Sequence, residues 1–446
     1  MPVSSPDLPE AFPRSQARKS GKFSVKNLRW LICALLLLAS TKNYIDREAL
    51  SVLKPHLQTV LHWSESDYGW IIFAFELAYA SMMIPFGKIV DWLGTRTGFA
   101  LSMIWWSIAS MAHAFAGSAF SFGVARFFLG AGEAGNFPAS IKAVAEWFPE
   151  KERALATGIF NAGTNIGAVL APPIVVWLTL RWSWREAFVF TGSIGFIWLA
   201  LWLWIYRVPR KHPWITQQEL KYIESDSPGP GEAQAPRVPW RHLLRFRETW
   251  GFILAKFMTD PIWWFYVFWL PSYLAQARGF SLKEIGYFAW IPFLAADIGS
   301  VLGGWFSGFL IGRGWSVNAG RKTAMLVTAL CMPSGIAAVL VGNVWLALGL
   351  ISISTSAHQG WSANVFTLTS DMFPKQDVAT VVGIGGAGGA IGGMIIAPLA
   401  GYTLQYVHSY VPLFIIAGVM HPLAILVLQL VVPRIRQVPA LQAASS

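Results

Sequence analysis

Charged residues and cysteines are the two scarce classes in this sequence. Of its 446 residues, 13% are charged and only 2 are cysteines. Soluble domains carry about a quarter charged residues, so this composition excludes a soluble protein of this length. Cys33 and Cys331 both lie in apolar runs. We therefore expect no disulfide framework and interpret both cysteines as small core residues.

Strand-like alternation and catalytic motifs are also missing. No stretch alternates polar and apolar residues as a membrane strand does, which argues against a β-barrel. No loop outside the apolar runs carries a metal-ligand cluster, a glycine-rich phosphate loop or a nucleophile elbow, and the outer loops are too short for a catalytic domain. We therefore expect no enzyme activity, no cofactor and no metal site.

Apolar residues are abundant and are grouped in runs of membrane-spanning length. The chain is 54% hydrophobic and its mean hydropathy is +0.48. A run of about 20 apolar residues crosses a hydrocarbon core of about 30 Å as a helix. The sequence predicts an all-α integral membrane protein with twelve transmembrane helices. Their centres lie near Leu37, Leu77, Trp106, Leu129, Ala168, Phe196, Phe265, Gly299, Ala329, Ile351, Gly389 and Ile416.

Lysine and arginine are placed unevenly between these runs. Six precede the first span and eight lie within 207–247, whereas the loops 113–121 and 341–343 carry none. Because such residues accumulate on the cytoplasmic side, both termini are predicted to be cytoplasmic. The net charge of +11 then reflects topology and contact with anionic lipids, not nucleic-acid binding. The first span continues into "NYIDRE" with no small-residue cleavage site, so no cleavable signal peptide is expected.

An internal repeat divides the chain into two halves. Residues 146–173 align without gaps on residues 371–398, and the alignment pairs Phe148, Pro149, Gly158, Gly163, Gly167 and Pro173 with Phe373, Pro374, Gly383, Gly388, Gly392 and Pro398. We predict two pseudo-symmetric six-helix bundles, as in transporters that rock about a central site; such a repeat disfavours a channel. The predicted units are an N-terminal cytoplasmic tail, 1–27; a bundle, 28–206; a cytoplasmic linker, 207–247; a second bundle, 248–433; and a C-terminal cytoplasmic tail, 434–446. The repeated glycines can serve helix packing alone or gating as well.

The stretch "NYIDREAL", residues 43–50, places charges near membrane depth at the end of the first apolar run. Each such charge costs roughly 2.5–3.5 kcal/mol on insertion scales and is retained mainly where it faces a wet cavity or another charge. Asp46 and Arg47 point about 100° apart on a helix. We expect Arg47 to face the cavity and Asp46 to face span four. Glu48 is interpreted as an interfacial acid that reaches solvent.

Span four supplies possible partners for these charges. Arg126 and Glu133 are seven residues apart, which is two helical turns, and so share a face. With Asp46 and Arg47 they would form a near-neutral cluster of two arginines and two acids. The alternative is that these four charged residues form a permanent packing network in which none of them titrates.

The segment "GKIVDWLGTRTG", residues 87–98, resembles the loop after the second span in the major facilitator superfamily. There an acidic and a basic residue latch the cytoplasmic side. We expect Asp91 and Arg96 to form this cytoplasmic gate. Trp92 stands where a basic residue is usual, which predicts a weaker latch, and the second-half counterpart at 303–314 lacks the acid.

Three further segments resemble the anion:cation symporter branch of that superfamily. They are "NYIDRE", residues 125–149 and residues 357–374, the last being most similar to bacterial hexuronate transporters. The resemblance covers roughly residues 25–430. It implies an importer of monoanionic sugar acids, with hexuronates such as galacturonate or glucuronate as substrates, in a bacterial inner membrane. We expect this importer to be monomeric and proton-coupled. Aldonates such as galactonate, dicarboxylates and anion exchange remain open alternatives.

The charged, aromatic and amide side chains of these segments suit a carboxylated polyol. An anion that enters the cluster competes with the acids for arginine, and protonation of an acid frees the arginine, which would couple transport to protons. Asp46 and Glu133 are therefore the predicted proton-coupling residues. The predicted substrate-binding residues are Tyr44, Arg47, Tyr79, Arg126, Asn161 and Thr164 in the first half, and Trp264, His358, Gln359, Trp361 and Asn364 in the second.

Overall fold

The computed structural model describes residues 26–225 and 240–438. Every regular element in these ranges is helical. Most of the predicted N-terminal tail, the middle of the predicted linker and most of the predicted C-terminal tail lie outside the described residues. The all-α fold follows from long apolar runs, because a helix satisfies all its backbone hydrogen bonds internally.

Seventeen α-helices can be numbered in the described ranges. The first half contains α1 Leu28–Leu61, α2 Glu65–Leu93, α3 Thr95–Ala112, α4 Ala119–Glu133, α5 Asn136–Trp147, α6 Glu150–Arg181 and α7 Trp184–Ile205. Two short helices follow, α8 Gln217–Ile223 and α9 Trp240–Leu243. The second half contains α10 Arg247–Arg278, α11 Leu282–Phe288, α12 Ile291–Gly312, α13 Val317–Cys331, α14 Ser334–Leu340, α15 Val344–Met372, α16 Lys375–Val407 and α17 Val411–Val431.

Nine helical stretches of the described chain are long and apolar enough to cross a membrane. Three regions are outside this set: the consecutive helices α4 and α5, the helix α10, and the helix α15. Helices α10 and α15 are long but carry polar side chains at their centres, and α4 and α5 are separated by a break. These three regions contain several predicted site residues, so the polarity that lowers their hydropathy belongs to the site. The count of twelve spans stays a prediction.

The sequence repeat is matched by equivalent helix packing in the two halves. Gly167 on α6 lies against α1, where an added Cβ would be 2.4 Å from the Thr41 carbonyl oxygen. Its counterpart Gly392 on α16 lies against α10, where an added Cβ would be 2.5 Å from the Phe257 carbonyl oxygen. A side chain at either position would separate the two backbones, so glycine is required for this close packing.

The two halves are joined at the end of the molecule where α1 ends and α2 begins. Gly69 on α2 approaches Gly401 on α16, and a Cβ added at Gly401 would be 3.1 Å from the Gly69 Cα. The Tyr68 hydroxyl donates to the Phe268 carbonyl across the same boundary at 2.8 Å. With cytoplasmic termini, as the charge pattern predicts, this is the outer side of the membrane. The structure is then closed toward the outside.

A hydrogen-bonded network adds to this closure. Glu65 forms an ion pair with Lys54 at 2.6 Å and accepts a hydrogen bond from Gln276 of the second half at 2.7 Å. Its backbone N–H donates to Gln405, also in the second half, at 3.0 Å. Tyr410 in turn donates to Gln276 at 2.7 Å. The bonds of Glu65 to Gln276 and Gln405 therefore join the two halves at this end of the molecule.

The predicted linker contains an ordered helix that contacts the start of α1. Glu219 on α8 accepts hydrogen bonds from the backbone N–H groups of Leu28 and Arg29, both at 3.1 Å. These N–H groups have no partner within α1, so the carboxylate acts as a cap.

The two cysteines differ in their surroundings. Cys33 is buried, as predicted, but Cys331 is exposed at the end of α13. The interpretation of Cys331 as a core residue is therefore wrong, because an apolar run in a membrane bundle does not distinguish residues facing lipid from residues facing other helices.

Candidate functional site

Arg47 lies at the centre of the molecule and is paired with Glu133. Its side chain is almost fully buried, and its Nε and Nη2 donate to the same oxygen of Glu133 at 3.1 and 2.9 Å. Asn43, one turn earlier on α1, accepts a third bond at 3.4 Å. The other carboxylate oxygen of Glu133 has no hydrogen-bond partner within the described ranges. Arg47 therefore binds only one carboxylate oxygen of Glu133, and the other oxygen has no donor in the described ranges.

Aromatic rings from both halves surround the Arg47 guanidinium. Its carbon lies 4.8 Å from the ring centre of Tyr44, 4.9 Å from those of Phe75 and Tyr79, and 5.1 Å from that of Trp264. Trp264 belongs to α10, in the second half. Such ring faces stabilise a cation, and each close contact contributes on the order of 0.5–2 kcal/mol. Side chains of both halves therefore contact the same buried charge, the Arg47 guanidinium.

Asp46 points away from Arg47, as predicted, but its partner is different from the one expected. It forms an ion pair with Lys42, one turn earlier on α1, and accepts a hydrogen bond from Ser110 on α3 at 3.2 Å. Lys42 also donates to Ser107 at 3.2 Å. The expectation that Asp46 faces span four is wrong, because the helix next to this side of α1 is α3.

Arg126 does not join a four-charge cluster. Its Nη2 donates to the backbone carbonyl of Arg47 at 2.6 Å, and its Nε and Nη1 have no partner among the residues the structure describes. The predicted cluster is therefore replaced by two separate ion pairs, Arg47 with Glu133 and Lys42 with Asp46. Arg126 remains a buried cation beside the site, and two of its nitrogens have no partner in the described part of the chain.

Glu48 is fully buried and does not reach solvent. Helix α1 continues for more than three further turns after it, to Leu61. Both of its carboxylate oxygens lack a hydrogen-bond partner in the described chain. The interpretation of Glu48 as an interfacial acid is wrong, because the helix extends past the end of the apolar run in the sequence.

Two of the residues predicted on α15 lie inside the second bundle. The Nδ1 of His358 lies 3.1 Å from the Nε2 of His421 on α17, and its ring stacks on Trp263 with centroids 5.4 Å apart. Trp361 is fully buried with its ring edge against His421. In this structure they pack the bundle and do not line the space around Arg47, which corrects the prediction.

Asn364 and Gln359, on the same helix, have different surroundings. Asn364 is buried and its Nδ2 donates to the carbonyls of Gly303 and Gly360, both at 2.9 Å, so it ties α15 to α12, while its Oδ1 has no hydrogen-bond partner in the described ranges. Gln359 is half-buried and lies two turns from Phe366, whose ring is covered by the Lys256 ammonium at 4.2 Å. Residues seven apart share a helix face, so Gln359 lies on the same side of α15 as Phe366, and its role in substrate binding stays a prediction.

On α6, the predicted residues lie beside the glycines that contact α1. Thr164 is half-buried and Asn161 is exposed, and the Thr164 hydroxyl donates to the Asn161 carbonyl at 2.7 Å. They share a face, as their spacing predicts. Around the axis of α6, these two side chains lie a fraction of a turn away from Gly167, the residue that contacts α1.

Several charged residues near the site were missed by sequence reasoning. They are Lys42, Glu76 and Lys256; Lys142, which lies beside Asp91, was missed as well. A signal for them was present, because each lies within or beside an apolar helix, where charge is retained for a purpose. Lys42 with Asp46, and Lys256 with Asp260, also have the i,i+4 spacing of helical ion pairs.

The family model of the Major Facilitator Superfamily matches residues 36–354, well over half of the chain. The chain belongs to the major facilitator superfamily. It is accordingly a multi-pass membrane transporter of small molecules and not an enzyme.

Relatives within the superfamily match most of the chain. It is 36% identical over 407 residues to the hexuronate transporter of Escherichia coli K12, covering 91% of this chain and 94% of that protein. It is 38% identical over 313 residues to the galacturonate transporter of Dickeya chrysanthemi, covering 70% and 90%. A solved bacterial homologue of the human lysosomal transporter Spinster, inward-facing and occupied, shares the fold with a TM-score of 0.71 at 19% identity, covering 93% and 100%. The predicted family and all-α fold are thereby confirmed.

Asp91, in the last turn of α2, forms an ion pair, but not the expected one. Asp91 pairs with Lys142 of α5 at 2.8 Å, and Lys142 also donates to the Val90 carbonyl at 3.0 Å. Arg96 instead donates to the carbonyl of Leu203 on α7. The predicted pairing of Asp91 with Arg96 is therefore wrong. The chain reverses after α2, and this places α5, not the start of α3, beside Asp91.

Reversing one charge of this exposed pair is expected to slow transport modestly. Lys142→Glu places two acids side by side, and an exposed pair contributes at most about 1 kcal/mol, so initial uptake should fall by about two- to fivefold. The double variant Asp91→Lys with Lys142→Glu restores the pair with its ends exchanged and should recover most of the rate. A double variant no faster than the single one would contradict a role for the pair.

Proposed function

We propose that this chain imports monoanionic sugar acids by proton-coupled symport, with hexuronates such as galacturonate or glucuronate as its substrates. It works by alternating access of its two bundles, as a monomer, in a bacterial inner membrane with both termini in the cytoplasm. Its similarity to hexuronate and galacturonate transporters supports the substrate class. The placement of lysine and arginine supports the orientation.

The buried Arg47–Glu133 pair carries this proposal. A guanidinium binds a carboxylate with two parallel N–H donors, and in this structure two donors of Arg47 are used by Glu133. A substrate carboxylate must therefore displace Glu133 from Arg47. The displaced Glu133 would be a buried, unpaired carboxylate, which costs several kcal/mol unless it takes up a proton.

Substrate and proton therefore favour each other at this site. A proton taken up by Glu133 from the outer water releases Arg47 for the substrate carboxylate, and departure of the substrate to the cytoplasm returns Arg47 to Glu133 and expels the proton. By linkage, the factor by which the substrate favours the proton equals the factor by which the proton favours the substrate. The aromatic ring faces around Arg47 provide flat apolar surface for a sugar ring, and Tyr44, Tyr79 and Gln359 supply hydrogen-bonding groups for its hydroxyls.

Purified protein in proteoliposomes tests this function. Counterflow of a labelled hexuronate is measured against galacturonate, glucuronate, galactonate, galactarate and a neutral hexose, and uptake is measured with and without an inward pH gradient. We expect competition by hexuronates, none by the hexose, and accumulation only with the gradient. Preference for galactonate or galactarate would reassign the substrate, and counterflow without gradient-driven accumulation would indicate an exchanger.

Two amides on α15 should respond differently to truncation. Gln359→Ala should shift the ratio of affinities for galacturonate and glucuronate by about tenfold, because an unpaired hydroxyl or amide in a binding site costs about 1–3 kcal/mol. Asn364→Ala is the matched control on the same helix; it should lower the melting temperature and affect both substrates equally. Competition curves and thermal unfolding measure these effects. Equal losses for both substrates in Gln359→Ala would remove it from the binding site.

A further inference from the structure

Asp260, on α10, is a charged residue that the transport step above does not use. Its carboxylate forms an ion pair with the ammonium of Lys256, one turn earlier on the same helix, at 2.8 Å. The Lys256 side chain is 7% exposed, whereas the Asp260 side chain is 22% exposed. The ammonium therefore lets the carboxylate keep its charge at membrane depth, while part of the Asp260 side chain stays accessible.

Trp264 and α16 show which way Asp260 faces. Trp264 follows Asp260 by one turn, and its ring centre lies 5.1 Å from the guanidinium carbon of Arg47. Residues four apart share a helix face. Gly389 on α16 lies against the Asp260 carboxylate, and Gly393, one turn later, lies against the Trp264 ring. Asp260 is therefore on the Trp264 side of α10, about 6 Å farther along the helix toward its cytoplasmic end.

The internal repeat places Asp260 opposite a residue that already lines the centre. Glycines of α6 and α16 contact backbone carbonyls of α1 and α10 in equivalent pairs. The contacts are Gly163 with Leu37, Gly167 with Thr41, Gly388 with Ile253 and Gly392 with Phe257. The carbonyl residues of α1 and α10 thus correspond at a constant shift of 216 residues, and at this shift Asp260 corresponds to Tyr44. Because the Tyr44 ring lies 4.8 Å from the Arg47 guanidinium, the symmetry places Asp260 around the same central space.

This arrangement suits a hexuronate that lies across both halves. With its carboxylate on Arg47 and its ring against Trp264, the far end of the sugar, which carries the C1 and C2 hydroxyls, reaches Asp260. An ionised carboxylate accepts hydrogen bonds through both oxygens, and bonds from hydroxyls to it are charge-assisted. A diacid such as galactarate has a second carboxylate at C1 and would place it against the Asp260 carboxylate. Repulsion between like charges then disfavours the diacid.

We propose that Asp260 binds the C1 and C2 hydroxyls of the hexuronate and thereby selects monoanionic sugar acids over diacids. This inference rests on the proposed function. Arg47 binds the charged end of the substrate from the first half, and Asp260 binds the uncharged end from the second. Lys256 is a positioning residue, which holds the carboxylate in place and neutralises it.

Competition against counterflow of labelled galacturonate tests the selection. Asp260→Asn is combined with Lys256→Met, because the ammonium would otherwise be buried without its partner. In this double variant the affinity for galacturonate should fall and that for galactarate should not, so that the ratio of the two affinities falls by about tenfold or more. Hexuronates that lack the C1 or the C2 hydroxyl should bind more weakly than galacturonate to the unaltered protein, and as well as galacturonate to the double variant.

A second ion pair of the same half provides the matched control. Arg321 on α13 pairs with Asp371 on α15 at 2.9 Å, outside the central space. Arg321→Met with Asp371→Asn removes the same two charges and should leave the ratio of affinities within about twofold of the unaltered protein.

The outcomes separate this proposal from the proposed function. An equal loss of affinity for galacturonate and galactarate in the Asp260 and Lys256 double variant indicates a packing role and overturns the proposal, while hexuronate transport stands. Absence of hexuronate counterflow in the unaltered protein, or its preference for galactarate, overturns both. Should the double variant lack counterflow, the analogues decide in the unaltered protein: a loss of about tenfold for each supports the proposal, and affinities equal to that for galacturonate overturn it.

Discussion

Arg47→Lys is expected to reduce the apparent affinity for a hexuronate by about 30- to 100-fold. Arg47 is held by two hydrogen bonds to Glu133 and surrounded by four aromatic rings from both halves. Lysine retains the charge but has no planar pair of donors for a carboxylate, and charge-assisted bonds contribute about 1.5–3 kcal/mol. Counterflow at a series of substrate concentrations measures the loss.

The same substitution elsewhere on α1 provides a matched control. Arg29, in the first turn of α1, pairs with Glu152 and Glu219 far from Arg47. Arg29→Lys should leave the apparent affinity within about twofold of the unaltered protein, since surface-proximal ion pairs contribute at most about 1 kcal/mol. Near-normal affinity in Arg47→Lys would remove Arg47 from the substrate site.

Glu133→Gln is expected to abolish accumulation driven by a pH gradient while preserving counterflow. Glutamine resembles the protonated acid, so it cannot exchange a proton, and it leaves Arg47 free for the substrate carboxylate. The apparent affinity should be unchanged or higher, because the competing carboxylate is gone. Uptake and counterflow in the same proteoliposomes measure both properties.

An exposed acid provides the control for this variant. Glu186, in the first turn of α7, is exposed to solvent, and Glu186→Gln should accumulate substrate like the unaltered protein. Full gradient-driven accumulation in Glu133→Gln would show that Glu133 does not carry the coupling proton. The Arg47–Glu133 pair would then be a permanent structural pair.

Asp46, the other predicted coupling acid, needs a different variant. Asp46→Asn alone would leave the Lys42 ammonium buried without its partner, which typically costs about 3–5 kcal/mol and obscures any effect on coupling. Asp46→Asn combined with Lys42→Met removes both charges together. Loss of gradient-driven accumulation in this double variant with counterflow intact keeps Asp46 in the coupling set, and retained accumulation removes it.

Some of the site could be predicted because the relevant physics is local. Arg47 and Glu133 are charged residues within apolar runs, and the energetic cost of such residues in a membrane points to partners or a cavity. Adjacent residues on a helix point about 100° apart, so the divergence of Asp46 from Arg47 followed from the helix alone. Trp264, one of the predicted substrate-binding residues, lies against the Arg47 guanidinium.

Other assignments failed because helical spacing gives a direction only relative to the axis of its own helix. His358, Asn364 and Gln359 are close in sequence and equally polar, yet the first two face neighbouring helices of their own bundle. Nothing in the segment indicates which neighbour lies on which side. The same limit applies to Asp91, whose partner is Lys142 on a helix that returns to it from about 50 residues away.

Composition, the spacing of apolar runs and the repeat at a shift of 225 residues predicted by themselves an all-α membrane protein built from two related halves. The segment 87–98 added the resemblance to the major facilitator superfamily, which the family model confirms. Those properties are sums over many residues, and no single contact alters them. Tertiary structure alone decided which charges are paired, that the buried Glu76 carboxylate has no hydrogen-bond partner among the described residues, and that the halves are joined where α1 ends. Each of these depends on the helix that lies opposite a given side chain, and helix packing brings together residues that are far apart in the chain.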